Sequence, residues 1–201
     1  TPQSLEADVP YHVWLKLNDV SFTFPAGYRI RLSLSTSHWP LVWPSRKRAT
    51  LEFRTSQCWL DLPVKSARGS AAVVDFDPPT VPKSEPVTWL REVARARRIE
   101  RDLGSGETKV IWTKDDGAYR LEDTAMEVDA YGEETHTIID DQPLSARSTS
   151  TWRFEHRRGD WNVCITASNA LRATEQSFFL KTSVEGREGD EVVFSDVTER
   201  E

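Results

Sequence analysis

Hydrophobic and polar residues alternate in short runs from the start of the chain. Val13, Leu15 and Leu17 alternate with Trp14 and Lys16. Val20, Phe22 and Phe24 alternate with Ser21 and Thr23, and Ile30, Leu32 and Leu34 with Arg31 and Ser33. Side chains two apart share one face of a strand, so each set predicts a half-buried strand. Pro25-Ala26-Gly27 is turn chemistry and predicts a hairpin-like unit between the second and third sets. Residues 36–48 break the alternation. Trp39-Pro40 and Trp43-Pro44 bias their first residues toward extended backbone, and an ordered aromatic loop is expected there. Strands resume at residues 49–53 and 59–64.

Pro78, Pro79, Pro82 and Pro86 mark a boundary, which divides the chain into residues 1–80 and 81–201. Just beyond it, Leu90, Val93, Ala94 and Arg97 fall near helical spacing. A strand is preferred, because residues 97–103, Gly104-Ser105-Gly106 and residues 107–112 describe a hairpin with a glycine turn. The remainder is a meander. Residues 126–131, 148–156, 161–170, 177–184 and 191–197 are strand candidates, with Gly/Asp turns within 157–160 and 185–190. Their alternate positions are polar, so the sheet should have one wet face.

Composition narrows the class. A chain of 201 residues makes one large domain or two small ones and is expected to bury roughly 70% of its unfolded surface. Eight Trp, eight Phe and four Tyr against one Met favour stiff β packing. A net charge of −6 disfavours nucleic acid or an anionic membrane as partner, and no apolar run approaches the roughly 20 residues of a membrane helix. Cys58 and Cys164 cannot build a disulfide framework and are expected to be reduced thiols. Thr1-Pro2-Gln3-Ser4-Leu5 is neither a methionine start nor a signal peptide. The chain is expected to be an internal fragment or a trimmed form, and cytoplasmic.

The segment FPAGYRIRLSLSTSHWPLVWPS, residues 24–45, carries a resemblance. With Leu17-Asn18-Asp19-Val20 before it and Leu60-Asp61-Leu62-Pro63-Val64 after it, it resembles the C-terminal non-catalytic domain of CocE/NonD hydrolases. That group includes X-prolyl dipeptidyl-peptidases and cocaine-esterase-like acyl esterases. Arg101-Asp102-Leu103, residues 141–146 and Gly159-Asp160-Trp161 are similar to longer members. The resemblance is strongest over residues 11–63 and implies an all-β fold. An antiparallel jelly-roll-like sandwich, galactose-binding-like in type, would be followed by a second antiparallel meander sheet. Four or five strands precede residue 75, short of the roughly eight of a complete jelly roll.

The resemblance also implies serine hydrolysis by an α/β-hydrolase domain. Such a domain needs a nucleophile elbow of the Gly-x-Ser-x-Gly type with downstream Asp and His. The chain has no such elbow, so no catalytic residue is assigned, and the catalytic domain is expected elsewhere, in cis or absent from this chain.

Other chemistry is thin. His12, His38, His136 and His156 form no ligand spacing, and neither a metal nor a cofactor is assigned. Asp75/Asp77 and Asp140/Asp141 offer oxygens to a hard cation such as calcium, but sit in turns where Asp simply turns the chain. Arg46-Lys47-Arg48 is too short for a nucleic-acid site. The suggestive cluster is His38, Trp39 and Trp43. Three uses are open: packing on a neighbouring domain, which is favoured, plugging a sandwich end, or stacking on a sugar.

Two functions follow. The first is a non-catalytic C-terminal region that braces a hydrolase domain and shapes its acyl or peptide pocket. The second is a free-standing carbohydrate- or protein-binding β-sandwich module. Unpaired sheet edges would favour either self-association into a homo-oligomer or a tight partner domain.

Overall fold

A computed structural model describes residues 5–64 and 75–201. The chain divides into two compact units, Thr1–Leu34 and Ser35–Glu201. In the first, Tyr28 N donates to Pro25 O at 3.2 Å, which closes the turn expected at Pro25-Ala26-Gly27. His12 stacks on Trp14 with ring centroids 5.5 Å apart, and Phe22 meets Phe24 edge-on at 5.2 Å.

Residues 5–64 differ from expectation. The alternating runs at 13–17, 20–24, 30–34, 49–53 and 59–64 join no hydrogen-bonded ladder, and a single 3-10 turn, Thr55–Gln57, is the regular structure among these residues. The cause is elementary. An amphipathic run fixes which side chains share a face, but a strand exists only when a partner satisfies its backbone.

The second unit supplies such partners locally. Its strands are β1 (Val87–Arg91), β2 (Ala94–Arg101), β3 (Glu107–Leu121), β4 (Met126–Ile139), β5 (Gln142–Arg158), β6 (Trp161–Ala173), β7 (Phe178–Glu188) and β8 (Glu191–Arg200). They form one antiparallel sheet in which β3 to β8 lie side by side in chain order, with β1 and β2 both on the outer side of β3. The strand preferred over a helix at residues 88–98 is therefore present, and so is the hairpin through Gly104-Ser105-Gly106. Tight turns at Asp140-Asp141, Gly159-Asp160 and Gly189-Asp190 join β4 to β5, β5 to β6 and β7 to β8, and residues 174–177 join β6 to β7. Asp141, Gly159 and Gly189 adopt positive φ, as short hairpin turns demand. β4 and β5 run well beyond the predicted segments. Their polar Thr, Ser and Glu positions look like loop in sequence, yet each is half of a cross-strand pair.

β1 and β2 behave as one edge strand broken at Glu92-Val93, opposite a bulge in β3 between Asp115 and Ala118. Gly117 sits in that bulge at φ +80°, and a Cβ there would lie 2.6 Å from Arg91 O. Only glycine meets both conditions.

The register sorts the side chains onto two faces. One face carries Val110, Trp112, His136, Trp152, Phe154, Ile165, Leu171, Leu180 and Val184. The opposite face carries Thr113, Glu133, Thr149, Thr151, Thr166, Ser168 and Ser183. The predicted wet face is therefore present. The expected deep core is not. Among the described residues the buried apolar side chains are Val110, Ile111, Ala118, Ala146 and Ala173, and none larger is fully buried. The reason is a single layer: a sheet needs a second layer on its apolar face to make a core. No helix among the described residues is long and apolar enough to cross a membrane.

Candidate functional site

The most developed cluster lies on the aromatic face, near the end of the sheet bounded by the β4–β5 and β6–β7 turns. Trp39 and Trp43 meet edge-on, with centroids 5.1 Å apart. Trp39 also packs edge-on to His136 of β4 at 6.0 Å, and Trp43 to Phe178 of β7 at 5.6 Å. Val42 N donates to His38 O at 2.9 Å and closes the turn that presents both indoles to one side. Pro40 lies in this turn, after a cis Trp39-Pro40 bond, and Pro44 follows just beyond it. Of the three residues expected to act together, Trp39 and Trp43 are half-buried against the sheet, whereas His38 is exposed.

His136 is the centre of this packing. Trp112 of β3 meets it edge-on at 5.5 Å, and its Nδ1 is 3.0 Å from Ser148 Oγ. Burial pushes the imidazole below its ordinary pKa, and Glu134, with Oε2 3.8 Å from Nε2, partly opposes that shift. The indole nitrogens of Trp39 and Trp112 are buried without a hydrogen-bond partner. The arrangement is thus an aromatic joint built around a hydrogen-bonded Ser148–His136 pair, with Glu134 beside the other ring nitrogen.

The aromatic face continues past this joint without cover. Arg97 lies over the Trp112 ring at 5.0 Å, and Lys114 lies 5.3 Å from the Trp152 ring while its Nζ donates to Glu134 at 2.5 Å. Trp152 stacks parallel to Phe154 at 5.9 Å. Trp152 lies so close over Gly132 that a Cβ there would meet its ring at 2.6 Å. Phe154, Ile165 and Phe194 extend the patch toward β8, the last of them 55% exposed. Sequence reasoning missed Trp112, His136, Trp152 and Phe154 as a group. Trp152 and Phe154 share a face by spacing alone, but their alignment with Trp112 and His136 needs the cross-strand register.

The polar face is organised by charge. Arg91 donates to Asp115 at 2.9 Å and to Asp129 at 2.6 Å, which raises its own pKa and lowers both carboxyls. Glu155, 4% exposed, is held between Arg153 and Arg157. The Arg91 pairings tie β1 to β3 and β4, whereas Arg153, Glu155 and Arg157 pair along β5 itself.

The carboxylate pairs considered for calcium separate. Asp140 pairs with Arg101 and Asp141 with Arg48, while Asp75 and Asp77 are exposed. Among the described residues no group of three or more His, Cys, Asp or Glu converges as metal ligands would. Cys58 is exposed and Cys164 half-buried, both as free thiols.

Comparison with known proteins bears on the first part of the chain. No curated protein and no solved structure matches it. Residues 1–75, which contain the Pro-Ala-Gly turn and the Trp-Pro loop, match the family model of the X-Pro dipeptidyl-peptidase C-terminal non-catalytic domain.

Proposed function

We propose that the chain is the non-catalytic C-terminal β region of a serine hydrolase of the acyl-esterase or X-prolyl dipeptidyl-peptidase type. Residues 1–80 supply its jelly-roll-like, galactose-binding-like part, and residues 81–201 the additional sheet. Its role is to brace an α/β-hydrolase domain in cis and shape the substrate pocket, in a cytoplasmic protein. The match of residues 1–75 to a non-catalytic domain carries this reading. The uncovered apolar surface adds a physical reason. Phe154, Ile165 and Phe194 stand open on the aromatic face of the sheet, as side chains do that a second layer is meant to cover.

The packing of Trp39 and Trp43 on the chain's own sheet counts against the sugar-binding alternative, which needs indoles open to a ring. Where no partner domain covers it, the β8 edge, with Val192, Val193, Phe194 and Val197 exposed, supports homo-oligomer formation.

The test uses the purified chain and the catalytic domain of its parent. The chain alone should form no fluorophosphonate adduct and turn over neither an X-prolyl p-nitroanilide nor a p-nitrophenyl ester. Its apolar surface should bind anilinonaphthalene sulfonate strongly, and adding the catalytic domain should displace most of the dye. Adduct formation on a serine of this chain, or dye binding unchanged by the catalytic domain, would overturn the proposal.

A further inference from the structure

The Arg46-Lys47-Arg48 run has a definite place. It lies across the rim of the sheet, where Arg46 Nη1 donates to Glu175 O in the β6–β7 turn at 2.6 Å and Arg48 pairs with Asp141 in the β4–β5 turn at 3.3 Å. Between this run and β5 lies an open groove of about 570 Å³, lined by Arg46, Arg48, Arg147, Asp141, Gln142 and Ser145 among others. Its charged lining is three guanidiniums against one carboxylate, a local excess of +2 on a chain whose net charge is −6.

Two features make this more than a solvated basic run. First, the guanidiniums are tethered. Arg147 Nη1 donates to Leu144 O at 2.9 Å and to Ala146 O at 2.8 Å, so it is oriented through one nitrogen, as Arg46 is on Glu175 O. A tethered guanidinium has less rotamer freedom to lose when its remaining N–H groups grip an oxyanion. Second, Arg147 is the direct cross-strand partner of Arg172 in the β5–β6 ladder. Like charges placed directly opposite destabilise a sheet, and an anion between or beside them removes that cost. Arg172 meets part of its own need by lying 4.0 Å over the Phe179 ring. Arg147 has no such aromatic cover among the contacts of the described residues.

We propose that this groove is an oxyanion site that takes a phosphoryl group, as inorganic phosphate or on a small phosphomonoester. Arg48 and Arg147 supply the paired N–H donors and Arg46 adds charge, while the Ser145 hydroxyl on the wall is already committed to Gln142 O and Ile139 N. This site is independent of the bracing role.

The test is thermal unfolding of the chain, followed by tryptophan fluorescence at constant ionic strength. Inorganic phosphate, glycerol phosphate and citrate are each titrated against sodium chloride. Phosphate or glycerol phosphate at 10 mM should raise Tm by about 3 °C, in a saturable manner, through mass action on the folded state. The double variant Arg48→Gln, Arg147→Gln should lose the shift, while Arg158→Gln, at the far end of β5, should keep it. No shift beyond chloride, a shift with citrate alone, or a shift that survives in the double variant would each overturn the assignment. A shift with phosphate alone, and none with glycerol phosphate, would name the free ion as ligand.

Discussion

Residues 11–64 and residues 87–200 share one hydrophobic grammar and reach different ends. Both alternate apolar and polar positions, yet the second becomes a broad antiparallel sheet while the first forms no ladder among its described residues. The difference lies in the connections. In β4 to β8, turns of two to four residues bring each strand back beside its predecessor, so every partner is the next segment of chain. Along residues 11–64, no run pairs with its neighbour in a ladder, even across the closed turn at Pro25-Ala26-Gly27. Alternation decides the face, and turn spacing decides whether a partner is local. A segment lacking a local partner must find one from afar before its backbone is satisfied.

The largest effect should come from changing the sheet where it has no slack. Gly117→Ala meets a backbone oxygen at 2.6 Å and a φ of +80°, and is expected to cost about 3 kcal/mol or more. Gly132→Ala drives a methyl into the Trp152 ring and should cost about 2 kcal/mol, less because a side chain can shift. Urea denaturation followed by circular dichroism measures both. Should either variant unfold at the wild-type midpoint, the sheet would not be the stable half of the comparison.

Next comes the charge pairing that replaces a core. Glu155→Ala leaves Arg153 and Arg157 without their shared carboxylate and is expected to cost about 2 kcal/mol, at the low end for a buried acid because both arginines reach water. Glu155→Gln, which keeps shape and loses charge, should cost less. Equal losses in the two variants would mean that packing, not pairing, holds this position.

The joint between the two kinds of chain should be weaker still. Trp39→Ala removes the contacts to Trp43 and His136 and is expected to cost about 1–2 kcal/mol, since the ring is only half-buried. Its distinctive readout is limited proteolysis: cleavage within residues 35–64 should accelerate while the sheet stays protected. Trp39→Phe, which removes an indole N–H that has no partner, should restore most of that protection.

What was legible in the sequence follows the same division. The strands at 148–156, 161–170, 177–184 and 191–197 and their Gly/Asp turns are found where the pattern put them, because hairpins are local objects. The wet face was legible for the same reason. The long β3 and β4 were not, because Asp115-Asp116-Gly117 imitates a turn while serving as a bulge, and Glu133-Glu134-Thr135 lacks any apolar residue. At the candidate site, Trp39 and Trp43 announced themselves through their prolines. His136 did not. Its partners Trp112, Ser148 and Trp39 come from β3, from β5 and from nearly a hundred residues upstream, and only the folded register brings them together.

The smallest effect is the one that tests whether the Trp39 loop and the sheet are one structure. Burial of His136 lowers its pKa, so the folded state binds its proton less readily than the unfolded chain does. A group with that sign adds its full stability above the unfolded pKa of about 6.5, and the contribution declines as pH falls toward the folded value. Acidification from pH 7.5 to 5.5 should therefore lower the unfolding midpoint. Asp115 and Asp129 do not contribute to that change, because their depressed pKa values place their losses in the more acidic range. In Trp39→Ala, water reaches the imidazole, the desolvation shrinks, and the dependence on pH between 7.5 and 5.5 should flatten. The measurement is a series of urea midpoints across that range for both proteins. Parallel curves would show that Trp39 does not shield His136, and that the loop rests on the sheet without being part of it.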